Sequence, residues 1–194
     1  MQVCIPKEVT VVELESAPFK NVKDALAWAR SHGVVGLMSD VDTKGKGEVS
    51  ISVRSIDKML SGSALHKSVT PAIHLAALAR LRDIVRESFV AEIHPDYVKV
   101  AGKRHLENPI NPNVTIAVLY GGVSLGGIPY RAKTTLKLFV DTNEKAKAYS
   151  YEISNIEILR GTVGFVTRPN CKISMNTDIL LNGVTDVNGQ PLIV

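Results

Sequence analysis

Three predicted strands in the middle of the chain constrain the fold more than any other feature. The first, Val114 to Tyr120, is apolar and β-branched, and it stops at Gly121-Gly122, where we expect a turn. A second strand begins near Ile128, and the polar residues 141–144 form the turn that leads to a third strand, Lys147 to Leu159. Loops this short cannot support a parallel return, so the three strands are expected to be antiparallel neighbours.

From Tyr130 onward, successive side chains of the second strand alternate between its two faces. One face is mostly apolar, and it consists of Tyr130, Ala132, Thr134, Leu136, Leu138 and Val140. The other face carries Arg131, Lys133, Thr135, Lys137 and Phe139. This basic face could bind an anionic ligand or simply face water. For a single strand the second interpretation is favoured, because antiparallel sheets commonly leave one face in solvent.

Helices are predicted on both sides of a short hairpin near residues 34–53. Asn21 can cap a helix from Val22 to His32, and Thr70-Pro71 opens a longer amphipathic helix that extends to about Glu92. The residues from His94 to Asn113 are polar and interrupted by prolines, and they predict a long loop.

Together with the three central antiparallel strands, these elements predict an α+β domain over residues 1–160, with helices packed on one face of an antiparallel sheet. Residues 161–194 are predicted to be a C-terminal arm or linker.

Composition restricts the classes of function. The net charge of +4 and the pI near 9.1 are compatible with nucleic acid as a partner. Cys4 and Cys171 have no metal-ligand spacing, so we expect no metal, no other cofactor and a reducing compartment. Neither a signal peptide nor a run of residues that could span a membrane is recognised, so we expect no membrane partner and a cytoplasmic location.

Candidate catalytic groups must be sought outside the common enzyme motifs, which are missing from the sequence. Metal-independent RNA cleavage needs a base, an acid and cations beside the phosphate, and His, Lys and Arg can supply all of them. The histidines that lie outside helix stripes and near cations are His66, His94 and His105. Tyr149 and Tyr151 alternate on the third strand and are predicted to share a face, where they could stack a base or pack in the core.

Several of these motifs together resemble a known family. They are the predicted long helix ending in His-Pro-Asp, then Gly102-Lys103-Arg104, the segment from Ile128 to Thr135 and the segment from Tyr149 to Ile153. The sequence resembles domains associated with large polyvalent proteins of phages and mobile elements, which are similar to nucleases of the barnase, EndoU, colicin and RelE-like superfamily. The resemblance covers roughly Phe19 to Leu159.

The resemblance implies a small α+β fold with helices on an antiparallel sheet of four or five strands and RNA bound on the exposed sheet face. The catalytic residues that it suggests are His105, His66, Lys133 and Tyr151. The phosphate-binding residues are Arg131, Lys133, Lys58 and Arg104, and Thr135 and Glu152 are supporting residues. A polyvalent-protein origin is also consistent with delivery together with phage or mobile-element DNA.

Three functions are therefore compared. The first is a metal-independent ribonuclease-like domain that acts on RNA. The second is a non-catalytic accessory module that binds nucleic acid, or a protein partner through the C-terminal arm. The third is a structural interaction domain without a nucleic-acid role, for which any association with RNA should depend little on salt.

Overall fold

The computed structural model describes residues 5–100, 103–139, 145–156 and 174–192, with the backbone alone described at 98–100 and 103–110. The strands are β1 Glu8–Leu14, β2 Gly36–Met38, β3 Val49–Ile51, β4 Phe89–Val100, β5 Lys103–Leu125, β6 Ile128–Phe139, β7 Ala146–Asn155 and β8 Ser174–Asn176. The helices are α1 Val22–Ser31, α2 Val53–Met59, α3 Gly62–Leu65, α4 Pro71–Ala79, α5 Leu81–Glu87 and α6 Thr177–Leu181.

The strands form one mixed eight-stranded sheet in the order β2-β3-β7-β6-β5-β1-β8, with β4 also paired to β5. β1 pairs with β5 in parallel, and β3 pairs with β7 in parallel. The predicted fold class, helices on one face of an antiparallel sheet, is therefore wrong. The physical reason is that the strands of each parallel pair are separated by long stretches of chain that include helices, which supply the crossovers that a parallel pair needs.

The central meander is antiparallel, because β5 pairs with β6 and β6 with β7 in that sense. Its first turn, however, lies later in the chain than predicted. Gly121 and Gly122 are paired inside β5, opposite Ala132 and Arg131. The chain reverses at Gly126 and Gly127, whose φ angles of 58° and 78° lie in the left-handed region that glycine adopts without strain.

Gly121 is required by packing and not by a turn. A Cβ atom at this position would overlap the Ser88 hydroxyl oxygen and lie 3.3 Å from Ser88 Cβ. Ser88 is itself buried, and its hydroxyl donates to the Ile84 carbonyl at 2.6 Å. Moving Ser88 away would break this hydrogen bond and disturb the packing around it. Gly121 thus lets the end of α5 approach β5 closely.

Gly121→Ala is therefore expected to lower the free energy of unfolding by about 2 kcal/mol through overpacking. Gly62→Ala is the matched control, because Gly62 lies in α3 with open space around its Cα, and a helical Ala is favoured over Gly by up to about 1 kcal/mol. Urea denaturation of both variants measures the difference. Equal stability of the two variants would show that the Ser88 contact is unimportant.

The predicted long helix from Pro71 to Glu92 is divided in the structure. α4 ends at Ala79, α5 follows from Leu81, and Ser88 adopts an extended backbone before β4. The predicted loop from His94 to Asn113 is also wrong, because its described backbone belongs to β4 and β5. Register shifts beside Pro95, Asp96 and Tyr97 accommodate the irregular segment.

Two apolar clusters lie on opposite faces of the sheet. The helical face, which carries Leu119, Leu136 and Ile153, packs against α1, α2, α4 and α5. The open face, which carries Val118, Thr135 and Glu152, is covered in part by residues 174–192, which lie within the predicted C-terminal arm or linker. Apolar residues of this segment that pack there are Met175, Leu180, Leu181 and Val184. Since α6 lies on the open face, helices do not occupy one face alone.

Across the described ranges, no helix has the length and apolar character that crossing a membrane requires.

Candidate functional site

The uncovered part of the open face forms a groove across β4, β5, β6 and β7. It contains two adjoining cavities of about 380 and 440 Å³, which share the side chains of Lys133 and Glu152. The second cavity is closed on one side by the loop at residues 183–189. We call the two cavities together the open-face groove.

Strand register determines which side chains meet in the groove. Ile116 and Val118 of β5 line its floor. His94 of β4 and Lys137 of β6 both pair with Ile116, from opposite sides, and Glu92 pairs with Val118. Because neighbouring strands are about 4.8 Å apart, the β4 and β6 backbones face each other across about 10 Å. An apolar floor therefore separates a His–Glu pair from a row of cations.

His94 is held in a defined orientation at the edge of the floor. Its Nδ1 lies 2.7 Å from the Pro95 carbonyl oxygen, and since a carbonyl only accepts, Nδ1 carries the proton and donates. Its Nε2 lies 3.6 Å from Glu92 Oε1, and its ring stacks on Tyr97 with a centroid distance of 5.7 Å. In this tautomer Nε2 carries no proton, so it can accept one.

Lys137 extends across the floor strand toward β4. Its Nζ lies 2.8 Å from Asp96 Oδ2 and 4.6 Å from the centroid of the Tyr149 ring. Lys58, a predicted phosphate ligand, contacts the same ring, with its Nζ 3.7 Å from the centroid and hydrogen-bonded to the tyrosine hydroxyl. Tyr149 thus links Lys137 of the groove to Lys58 of α2.

Lys133, Thr135 and Glu152, three of the predicted site residues, come together in the groove. Lys133 Nζ lies 3.4 Å from Glu152 Oε1, and the two side chains are 31% and 35% exposed. An ion pair this exposed contributes at most about 1 kcal/mol, so another anion can compete for the lysine.

Arg131, predicted as a phosphate ligand, has a structural contact instead of a free guanidinium. Its Nη1 donates to the carbonyl oxygens of Leu180 and Asn182 at 3.2 and 3.1 Å, and its Nε donates to Ser154 Oγ at 3.2 Å. A cation at these carbonyls caps the C-terminus of α6. Arg131 therefore attaches the C-terminal segment to the sheet, at one end of the groove.

Tyr151, predicted as a catalytic residue, is part of the core. Only 2% of it is exposed, its hydroxyl donates to the His74 carbonyl at 2.8 Å, and burial raises its pKa well above the ordinary value. The predicted common face with Tyr149 is wrong, because a bulge pairs Thr135 with Ser150 but Leu136 with Ala148 and so interrupts the alternation. The ring of Tyr149 contacts Lys137, while that of Tyr151 stacks on His74.

Of the other predicted residues, His66 does not line the groove. His66 is exposed at the end of α3, and its Nδ1 lies 2.6 Å from the Gly62 carbonyl oxygen. Arg104 and His105 lie in β5, where their backbones pair with Lys99 and Val98. Their side chains lie outside the described part of the structure, so their predicted roles stay predictions.

Sequence reasoning missed the β4 side of the groove. Glu92, His94 and Asp96 alternate in the chain, which is the pattern of a polar strand face, whereas our sequence analysis predicts the end of a helix and a loop for this segment. The sequence analysis places His94 near cations, whereas its contact with Glu92 is found only in the structure. Recognition of β4 as a strand would have identified all three residues as members of one face.

No metal centre is indicated within the described ranges, where no three or more His, Cys, Asp and Glu side chains are grouped to hold an ion. Comparisons with protein-family models, with curated proteins and with solved structures found no match for this chain.

Proposed function

We propose that this protein is a metal-independent ribonuclease-like domain that binds single-stranded RNA in the open-face groove. The main support is that His94, whose Nε2 lies 3.6 Å from Glu92, lines the same groove as Lys133 and Lys137. The proposal rests on these chemical groups and not on the family resemblance, whose implied antiparallel sheet is not observed.

The groups match the needs of RNA transesterification. His94 Nε2 accepts the proton of the ribose 2′-hydroxyl, and Glu92 stabilises the imidazolium that forms. The 2′-oxygen then attacks phosphorus, while lysine ammonium groups stabilise the charge that grows on the phosphate oxygens. The 5′-oxygen leaves with a proton from a lysine or from water. The products are a 2′,3′-cyclic phosphate and a 5′-hydroxyl.

The carboxylate partners of the lysines do not prevent phosphate binding. Lys133–Glu152 and Lys137–Asp96 are pairs between partly exposed side chains, and the lysines are 31% and 26% exposed. Such pairs are weak in water, so a phosphate diester that also gains contacts along the groove can replace a carboxylate. The floor residues Ile116 and Val118 offer an apolar surface for a ribose or base.

A second candidate is a non-catalytic accessory module that binds RNA in the same groove. It is favoured by the pairing of both groove lysines with carboxylates and by the structural contacts of Arg131 and Tyr151. This module would bind RNA without cleaving it. Binding and cleavage therefore need separate measurements.

The double variant Lys133→Ala/Lys137→Ala is expected to weaken RNA binding and to reduce its salt dependence. Each lost phosphate contact lowers the slope of log affinity against log salt by about 0.7 for single strands, so two contacts lower it by about 1.4. Fluorescence anisotropy with a labelled unstructured RNA oligomer, at salt concentrations from about 50 to 200 mM, measures the slope.

The matched control is Lys23→Ala/Arg30→Ala on α1, which removes two exposed positive charges from the other side of the sheet. Its salt slope should equal that of the wild type. The same reduction in both double variants would mean that RNA responds to overall charge and not to the groove.

A further inference from the structure

A third cavity, of about 370 Å³, shares no lining residue with the open-face groove. It lies between the loop at residues 39–47, the end of α5, the start of β4 and the first half of β1. The charged residues that line it are Glu8, Lys44, Lys46, Arg86 and Glu87. Three of the five are cations, so the cavity has an excess of positive charge.

The loop that carries the two lysines is fixed by its own hydrogen bonds. Thr43 Oγ1 contacts the carbonyl oxygens of Asp40 and Gly47 at 3.0 and 2.7 Å, and the Gly47 N–H donates to Asp40 Oδ1 at 2.7 Å. Lys44, Gly45 and Gly47 have φ angles of 56°, 80° and 82°, which produce the tight reversal. The lysines therefore project from a defined backbone.

Lys44 and Arg86 share the buried carboxylate of Glu87, whose side chain is 5% exposed. Arg86 Nε lies 3.1 Å from Glu87 Oε1, and Lys44 Nζ contacts Oε2. The ion-paired side chains of Lys44 and Arg86 are 53% and 39% exposed, so both cations also reach solvent. Arg86 Nη2 also lies 2.5 Å from Asp83 Oδ1, so Nη1 is the guanidinium nitrogen that stays available to an anion while the contacts with Glu87 and Asp83 are kept.

Lys46 differs from Lys44 in its environment. Its Nζ donates to the Arg86 carbonyl oxygen at 2.9 Å. Burial and the like charge of Lys44 lower the pKa of Lys46 to about 8, although Glu87 partly opposes the shift. A neutral amine can still donate one N–H to this carbonyl, which leaves its lone pair available. Desolvation beside another cation is a known way to activate a lysine.

We propose that the Lys46 amine is a nucleophile that forms an imine with an anionic aldehyde, whose anionic group is bound by Lys44 and Arg86. The amine nitrogen attacks the carbonyl carbon to give a carbinolamine, which loses its oxygen as one molecule of water and leaves a C=N bond. No electrons are gained or lost. The protonated imine keeps one N–H, which can donate to the Arg86 carbonyl.

The test uses the full chain with pyridoxal 5′-phosphate as the probe, reduction by borohydride and peptide mass spectrometry. At pH 7.5, Lys46 should be labelled at least about tenfold faster than the exposed Lys23, because a pKa lowered to about 8 gives Lys46 a much larger neutral fraction than a lysine at the ordinary value. Pyridoxal, which lacks the phosphate, should give a smaller ratio of Lys46 labelling to Lys23 labelling; the ratio is compared because pyridoxal forms an internal hemiacetal that slows its reaction with every amine. Lys46→Arg keeps the charge and should lose this label alone.

Two results would overturn the proposal. One is labelling of Lys46 no faster than that of Lys23 in the wild type. The other is an equal ratio of Lys46 to Lys23 labelling with pyridoxal and with its phosphate, which would show that Lys44 and Arg86 bind no anion. Both comparisons use the wild-type protein, so they do not depend on the folding of a variant.

Discussion

Replacement of His94 by Asn is expected to reduce the rate of RNA cleavage in EDTA by a factor of about 10² to 10⁴, which is the contribution of a general acid–base group. Asn can still donate to the Pro95 carbonyl, so the local structure should survive. RNA affinity should change little, because the lysines of the groove are retained. The rate is measured from the formation of 2′,3′-cyclic phosphate ends on an RNA oligomer.

His66→Asn is the matched control, since the Nδ1 of His66, like that of His94, lies at a backbone carbonyl oxygen. His66 is exposed and does not line the groove, whereas His94 lines it and is only 9% exposed. It should cleave at the wild-type rate. Full activity in His94→Asn would exclude His94 as the base. Wild-type protein that binds RNA but never cleaves it would instead support the non-catalytic module.

His74→Ala is expected to lower the free energy of unfolding by about 3 to 5 kcal/mol, the range for loss of a large buried ring. His74 is fully buried, and its ring stacks on Tyr151 at a centroid distance of 4.2 Å. Its Nδ1 accepts from Ser68 Oγ at 2.7 Å, and its Nε2 donates to the Met59 carbonyl at 2.9 Å. The variant would leave Ser68 and Met59 without this partner. Chemical denaturation measures the loss, and His66→Ala should stay within about 0.5 kcal/mol of the wild type.

The same histidine should make the protein sensitive to acid. Burial lowers the pKa of His74 from 6.5 to about 4, so the unfolded chain binds a proton before the folded chain does. The contribution of His74 to the free energy of unfolding is fully present above pH 6.5. It falls by about 3 kcal/mol as the pH decreases to about 4. In His74→Gln, which cannot titrate, the decrease in stability between these pH values should be smaller by that amount. Parallel pH profiles would contradict the assignment.

Local patterns in the sequence predicted the parts of the fold that depend on neighbours in the chain. Alternation along β6 correctly identified the face with Lys133 and Lys137, and Asn21 caps α1 through its side chain as predicted. The parallel pairs of β1 with β5 and of β3 with β7 join distant segments, and nothing in a local window encodes such a pairing. For that reason the mixed sheet could not be predicted from the sequence.

In the site, too, contacts between neighbouring strands were predicted and contacts with distant segments were not. Lys133, Thr135 and Glu152 were predicted from two adjacent strands, and they meet in the groove. The partner of Arg131 could not be foreseen, because Leu180 and Asn182 lie about fifty residues away in the chain. The periodicity of residues 89–93 fits both a helix and a strand, and pairing with β5 selects the strand, which brings His94 to the groove.

The most direct test of the account is to find where RNA lies on the protein. An unstructured RNA oligomer that carries 4-thiouridine is bound, irradiated and mapped on the protein by mass spectrometry. Tyr97 and Tyr149 flank the groove, so crosslinks are expected in the peptides that contain them. Crosslinks confined to the helical side of the sheet, for example at Trp28 of α1, would contradict the proposed RNA-binding groove.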